Sequence, residues 1–381
     1  MIEGVSRKIA KDFHDKIKTG QWPAGKRVPT TRQLAAQYQV SVNTIQNAFR
    51  ELEASDLVER RPRLGGFVKA RPKVRIASAI AVVGPYTTEG LAASEADEPH
   101  SWGYRIIRGC DAELGEANIH VSMFSYPPGD PNPIPKILAK IDQALDSLGG
   151  ILLFPRPETA ALRDELDRRN IPWVTVNRPR EHAAQNFVSA EVVLPSRLVA
   201  RCFAKLKVRR AVFLCNCLSI GNSTNDKYLG FMQGWLESGM PSRDVDFISC
   251  GNMTESVGYE HIKPYLDSQG VPDAIFAAGD LLALGALRAL RERNVNVGTD
   301  TFLVGSTGLQ LATYANPPLT VIQTPMEQMG REAARMLLEM HREGVRRMIG
   351  RYVASPVVVR DSCPISPELL DRELKQIEQE V

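Results

Sequence analysis

The sequence predicts an α/β protein in two unequal parts, a small basic head of short helices and a hairpin, then a long body of parallel sheets flanked by helices. Three observations carry this reading. Residues 1–75 hold 16 Lys and Arg against 7 Asp and Glu, a net charge of +9, whereas the whole 381-residue chain is only +3, so the body is acidic. Within the head, two short helical patterns flank a tight break at Gln39-Val40-Ser41. Beyond residue 76, apolar runs and amphipathic stretches alternate, which implies right-handed βαβ crossovers and a parallel sheet covered on both faces.

Met1-Ile2-Glu3-Gly4 leads into a charged amphipathic helix, not into the apolar core of a signal peptide. Thr30 or Thr31 opens the next helix as its N-cap, with Leu34, Ala35 and Tyr38 on one face. Ser41 opens the helix after it, whose positions Ile45, Ala48, Phe49 and Leu52 recur every three or four residues and pack inward. That leaves Val42, Asn43, Thr44, Gln46 and Asn47 on or near the outer face, where short polar side chains suit base edges in a major groove. Arg60, Arg61 and Arg63 cluster on the following hairpin, placed for phosphate contact, and Lys26 and Arg27 precede the first of the two helices. Arg32 is a backbone or base contact from that helix, or else a surface ion-pair partner of Glu51 or Glu53. The implied partner is double-stranded DNA with a pseudo-palindromic sequence, read by a homodimer.

These residues resemble the winged helix-turn-helix of the GntR family of bacterial transcription regulators over roughly the first seventy positions. The motif reads Pro29-Thr30-Thr31-Arg32-Gln33-Leu34-Ala35, then Val40-Ser41-Val42-Asn43-Thr44-Ile45, Leu52-Glu53, Leu57-Val58 and the wing Gly65-Gly66-Phe67-Val68. Many members carry Arg at the positions of Val42 and Gln46. The departure leaves Gln46 as a reader of adenine and Val42 as a contact for a thymine methyl group.

A linker at residues 71–75 is basic and broken by Pro72. In the body, a nearly continuous apolar run at 76–83 reads as a strand buried on both faces. Helices are expected near 102–117, 135–148, 158–169, 195–205, 226–238, 256–268 and 281–293. Strands are expected near 120–124, 150–154, 173–176, 211–214, 245–248, 274–276 and 302–304. Residues 86–101, rich in Ala, Ser, Thr, Glu and Asp, lengthen the loop after the first strand as a lid or a surface insertion.

From Pro272-Asp273-Ala274-Ile275-Phe276-Ala277-Ala278-Gly279-Asp280 onward, and again at Asn316-Pro317-Pro318-Leu319-Thr320-Val321-Ile322-Gln323-Thr324-Pro325, the body resembles the ligand-sensing domain of the LacI/GalR family, built like type I periplasmic binding proteins. The combination with the head is similar to chimeric regulators of the arabinose-repressor type. The resemblance implies a sensing domain over 75–363, with one lobe at about 75–177 and 308–322 and the other at about 180–304 and 325–360. Crossovers are expected near Asn177-Pro179, Gly305-Gly308 and Gln323-Pro325. A small-molecule effector would lie between the lobes, contacted by Trp102, Tyr104, Asn177, Arg178, Lys227, Asp280 and Thr307. The resemblance implies a sugar or a sugar derivative as effector; against a simple monosaccharide, Lys227 stands where many members have Arg, and Gly305-Ser306-Thr307 replaces a Gly-aromatic-Asp, so the family's sugar-gripping carboxylate is missing. For Asp280 a helix cap is the competing role; for Trp102 and Tyr104, core packing; for Asn177 and Arg178, the hinge or the surface.

Residues 364–381 read as a charged helix with Leu370, Leu374, Ile377 and Val381 on one stripe, either a tetramerisation seam or a docked helix. The six cysteines lie in apolar contexts without metal-ligand spacing, as expected of buried thiols in a reducing cytoplasm, where the protein would meet the nucleoid when DNA-bound. No cofactor or metal is implied and no apolar run spans a bilayer. The competing functional class, a DNA-binding head on an α/β enzyme, lacks a Gly-x-Gly-x-x-Gly turn after the first strand, where Gly84-Pro85-Tyr86 stands, and shows no nucleophile or metal cluster.

Overall fold

The computed structural model describes residues 5–18, 21–23, 25–54, 57–61, 65–68, 78–84, 99–126, 130–154, 159–177, 186–218 and 223–380. It divides into two compact units, Met1–Arg75 and Ile76–Val381.

The first unit contains helices α1 (Val5–Lys18), α2 (Thr31–Tyr38) and α3 (Val42–Ala54) and the hairpin β1 (Val58–Arg61) and β2 (Gly65–Val68). Thr30 is the N-cap of α2 and forms a reciprocal capping box with Gln33. Gln39 ends that helix in the left-handed region at φ 53, which turns the chain into α3 within three residues. The Ser41 hydroxyl accepts the Thr44 amide at 3.1 Å, as its position in the sequence predicts. Phe13 is fully buried and its ring meets Trp22, Tyr38 and Phe49 at centroid distances of 5.0–5.5 Å. Around it lie Leu34, Ile45, Ala48, Leu52, Val58 and Val68, so the inward stripe of α3 is the one read from its spacing. The Val28 amide donates to the Gly66 carbonyl and the Val68 amide to that of Lys26, which adds residues 26–28 to the hairpin as a third short edge.

The second unit holds two six-stranded sheets. In the first lobe the strands are β3 (Ala79–Gly84), β4 (His120–Ser125), β5 (Leu148–Leu153), β6 (Trp173–Val176), β7 (Phe187–Glu191) and β13 (Arg351–Ala354), in the order β13-β7-β6-β5-β3-β4. The strand pairings in this sheet are parallel among the described residues. Helices α4 (Pro99–Gly115), α5 (Ile134–Ala144), α6 (Thr159–Arg168) and α12 (Met326–Glu343) belong with it. In the second lobe the strands are β8 (Ala211–Cys215), β9 (Val245–Ser249), β10 (Ala274–Ala277), β11 (Phe302–Thr307), β12 (Thr320–Gln323) and β14 (Val357–Val358), in the order β14-β12-β11-β10-β8-β9. Its helices are α7 (Val193–Lys205), α8 (Ser223–Glu237), α9 (Glu255–Gln269), α10 (Asp280–Arg291), the short α11 (Gln310–Tyr314) and α13 (Pro367–Gln379).

The lobe boundaries differ from those expected. β7, not anticipated as a strand, pairs in parallel with β6 and keeps the chain in the first lobe until Glu191, so the first crossover lies near 191–193 rather than at Asn177-Pro179. No crossover occurs at Gly305-Gly308, because β12 pairs in parallel with β11 from Val304 to Thr307 and residues 308–322 stay in the second lobe. The passage at Gln323-Pro325 does change lobes, but toward the first, where α12 packs and β13 joins β7. The third passage, near 354–357, leads to β14, which pairs antiparallel with β12. The physical reason is that β7 and β13 are short strands of mixed polarity, β13 at the sheet's edge and β7 beside it, without the unbroken apolar run in sequence that marks a strand buried on both faces.

Close helix pairs depend on missing side chains. A Cβ on Gly330 of α12 would lie 2.0 Å from the Ile106 carbonyl oxygen, and one on Gly109 of α4 only 1.9 Å from that of Glu327. Gly330→Ala is therefore expected to force the two helices apart at a cost of about 1–3 kcal/mol. Thermal melting checks this against Gly115→Ala, where a Cβ meets open space and no loss is expected.

The terminal helix is docked on its own chain. Ile377 is buried, and Leu369, Leu370 and Leu374, partly buried, pack against the second lobe's core, so the apolar stripe faces its own chain, the docked helix of the two alternatives. Arg201 of α7 reaches Glu373 at 3.0 Å and Glu380 at 2.9 Å, and Arg197 reaches Glu237 at 2.6 Å. Val381 lies outside the described residues.

Candidate functional sites

On the head, α3 presents Val42, 40% exposed, with Asn43 exposed beside it and Gln46 half-buried one turn on. The cap holds the first turn of this helix in place, so side chains at its amino-terminal end are aimed by a fixed backbone. Ser41 spends its hydroxyl on that cap and lies 2.8 Å from the Thr44 hydroxyl, so its own contact to a partner would use a remaining lone pair. Asn47 accepts from Arg50 Nη1 at 3.0 Å. Arg50 is exposed and absent from the sequence-derived set; its three-residue spacing from Asn47 was the available signal. Arg32 is exposed on α2. Gly65 opens the second wing strand at φ 95, and a Cβ there would lie 3.1 Å from the Arg27 guanidinium, so both backbone and space call for glycine. Arg63, and the side chains of Arg60 and Arg61, lie outside the described residues.

In the second unit, the structure gathers Lys227, Asp280 and Thr307 at the carboxyl ends of the second lobe's strands, the edge where open α/β sheets bind ligands. Lys227 lies in the first turns of α8, is 5% exposed, and donates to the Ala278 carbonyl just past β10 at 2.9 Å. Burial lowers its ammonium from 10.5 to about 8, against the pull of Asp280. Asp280 is fully buried at the start of α10. It does not cap its own helix, the competing role; Gly279 is the N-cap. Instead its Oδ2 accepts the Leu309 amide at 2.7 Å. Burial raises the carboxyl to about 6, while the Leu309 and Gly308 amides, Lys227 and Arg360 pull it down. Its Oδ1 and the Ser306 hydroxyl are buried without a hydrogen-bond partner. Two unsatisfied polar atoms, one of them on the carboxylate that pulls on the buried ammonium, are what a polar ligand or ordered water would complete.

On the first lobe, Tyr104 is 48% exposed while Ile106 and Cys110 of the same helix are buried, so Tyr104 faces outward rather than into the core. Asn177 ends β6 in the left-handed region at φ 72, with its amide held by the Val188 carbonyl at 2.7 Å. Arg178 and the side chain of Trp102 lie outside the described residues, as does nearly all of the lengthened loop. Arg105, which sequence reasoning missed, donates from Nη1 to the Gly308 carbonyl at 3.4 Å and so brings α4 against the end of β11. Nothing in the sequence marks it, since the contact spans 203 positions. All six cysteines are free, five of them buried, and no metal-holding cluster occurs among the described residues. No helix among them is long and apolar enough to cross a membrane.

Comparison with known proteins agrees with this division. Residues 5–68 match the bacterial regulatory proteins of the gntR family, and residues 200–363 match the periplasmic binding protein-like domain. The HTH-type transcriptional repressor MelR of Bacillus subtilis is 35% identical over 147 residues, which cover 38% of this chain and 40% of MelR. The HTH-type transcriptional regulator CelR of Thermobifida fusca is 27% identical over 215 residues, covering 56% and 63%. The chain thus spans less than two thirds of the length of either relative. Among solved structures, a CelR–cellobiose complex superposes with a TM-score of 0.63 at 21% identity, over 88% of this chain and 100% of that one. The lac repressor dimer bound to operator and an anti-inducer superposes with a TM-score of 0.61 at 18% identity, over 76% and 94%.

Proposed function

We propose that this chain, which carries a gntR-family regulatory domain at its amino-terminal end and a periplasmic-binding-protein-like domain behind it, is a bacterial transcription regulator acting as a repressor under small-molecule control. The observation that carries the reading is the pairing of a capped, outward-facing α3 with a two-lobed body whose strand ends bury a lysine, a carboxylate and unsatisfied polar atoms. The head reads operator DNA through Arg32, Ser41, Val42, Asn43, Thr44, Gln46 and Asn47, with phosphates held by the wing at Arg60, Arg61, Arg63 and Gly65. The effector is a sugar or sugar derivative held by Tyr104, Asn177, Lys227, Asp280 through Oδ1, and Thr307, with Trp102 and Arg178 completing the first lobe's side. Cellobiose in the CelR complex supports that chemical class.

The chain acts in the cytoplasm as a homodimer. Supporting this, a groove of the second lobe between Leu284, Leu287, Arg288 and Tyr314 exposes apolar surface, with Tyr314 at 73% and neighbouring Leu311 at 41%. An effector that binds one lobe arrangement more tightly shifts the operator equilibrium by that difference, and DNA changes effector affinity by the same factor.

A thermal-shift screen of the full chain against sugars, sugar acids, sugar phosphates, nucleosides and amino acids tests the reading. One chemical class is expected to raise the melting temperature and weaken binding to a duplex enriched from random sequence. If no class stabilises the protein and no duplex is enriched, the reading fails. Turnover of a screened compound would favour the enzyme alternative.

A further inference from the structure

The segment joining β11 to α11 belongs to the second lobe by chain and sheet, yet its tip is buried in the first. Leu309 is 7% exposed and lies in the hydrophobic cluster of the first lobe, which includes Ile106, Cys110, Met326 and Met329. Leu281, one residue past Asp280, packs against the same cluster. The backbone of this tip is held from the opposite side, with the Leu309 amide on Asp280 Oδ2 at 2.7 Å. The Gly308 carbonyl takes Arg105 of the first lobe at 3.4 Å, and the Thr307 carbonyl takes the Thr324 amide at 3.1 Å, at the passage between lobes. Gly308 sits at φ 76, and a Cβ there would lie 2.6 Å from Gln323 Cγ, so the tip fits tightly against that passage.

We propose that Gly308-Leu309 is a latch between the lobes: Asp280 is a positioning residue that anchors its backbone to the second lobe, while Leu309 and Arg105 dock it on the first and hold the lobes together without a ligand. Burial of one leucine supplies the attraction, and the short carboxylate bond prevents the loop from following the first lobe when the lobes part. Because Thr307 immediately precedes the latch, a molecule bound there alters the same contact that sets the angle between the lobes. The latch itself does not depend on the identity of that molecule.

The test is a distance measurement on the unliganded full chain. Spin labels on cysteines introduced by Asp164→Cys in the first lobe and Glu260→Cys in the second, both exposed positions, report lobe separation in a Cys217→Ser background, since the other five thiols are buried. The parent is expected to show one narrow distance distribution. Leu309→Ala is expected to raise a second, altered separation by about tenfold in population, the factor that ~1.4 kcal/mol supplies, and Arg105→Met to move it the same way by less. A folded Leu309→Ala protein with the parent's distribution overturns the proposal. Should Leu309→Ala fail to fold, an unchanged distribution in Arg105→Met overturns it instead.

Discussion

Lys227→Met is expected to raise the melting temperature of the protein while abolishing its response to the effector. The side chain is buried with one neutral acceptor, the Ala278 carbonyl. A fall from 10.5 to about 8 corresponds to roughly 3 kcal/mol of penalty on the charged form. Methionine fills a similar volume without that penalty, and losing the carbonyl's hydrogen bond returns about 1 kcal/mol. A net gain of about 2 kcal/mol would lift the melting temperature by several degrees. The pH dependence follows from the depressed value. Below about pH 8 the ammonium is charged in both states and the native protein bears the full penalty. Between about 8 and 10.5 the native lysine is neutral while the unfolded one still holds its proton, so the parent gains stability as pH rises. The advantage of the variant should therefore shrink over that window. Melting curves at pH 7 and pH 10 decide it: a variant less stable than the parent at pH 7, or a difference that ignores pH, would show that the buried ammonium is not the cost assigned to it. Retention of the ligand-induced melting shift would remove Lys227 from the effector site.

Arg32→Ala should weaken operator binding by roughly tenfold or more and lower the salt dependence of binding, with melting unchanged. The residue is exposed on α2, next to the capping box that fixes that helix, and none of the head's core rests on it. Gln46→Ala offers a contrast. A base-reading residue loses discrimination at one position of the duplex, whereas a phosphate contact loses affinity for all sequences alike. Titrations of both variants on an enriched duplex and on scrambled DNA separate the two roles. Equal affinity of parent and Arg32→Ala at moderate salt would sink the placement of α2 on DNA.

Much of the molecule follows from local chemistry along the chain. Thr30 and Ser41 cap their helices where their side chains predict. The stripe Ile45, Ala48, Phe49, Leu52 is the buried one, and the runs at 79–84, 148–153, 211–215 and 274–277 are strands buried on both faces. Periodicity and capping act within a few residues, so a single sequence records them. The basic head on an acidic body is legible for the same reason, since charge is a sum over positions.

Pairing is another matter. Which lobe owns residues 187–191, 320–323 and 351–354 depends on strands far away in sequence, and these short strands carry no run strong enough to announce their partners. The stripe of Leu370, Leu374 and Ile377 has the same spacing whether it meets a second chain or α7 of its own, and only packing against the second lobe, with Arg201 held by Glu373, distinguishes them. Asp280 shows the division within one residue. Its place at a helix start allows a cap by spacing alone, but its carboxylate turns instead to the amide of Leu309, 29 positions away. Local pattern suffices for the two-part architecture, the capped, outward-facing α3 and the presence of a parallel-sheet body, because these arise from contacts a few residues apart. The lobe assignment, the docking of the tail and the junction at Arg105, Asp280 and Leu309 come from packing, because they rest on contacts between residues that local pattern cannot bring together.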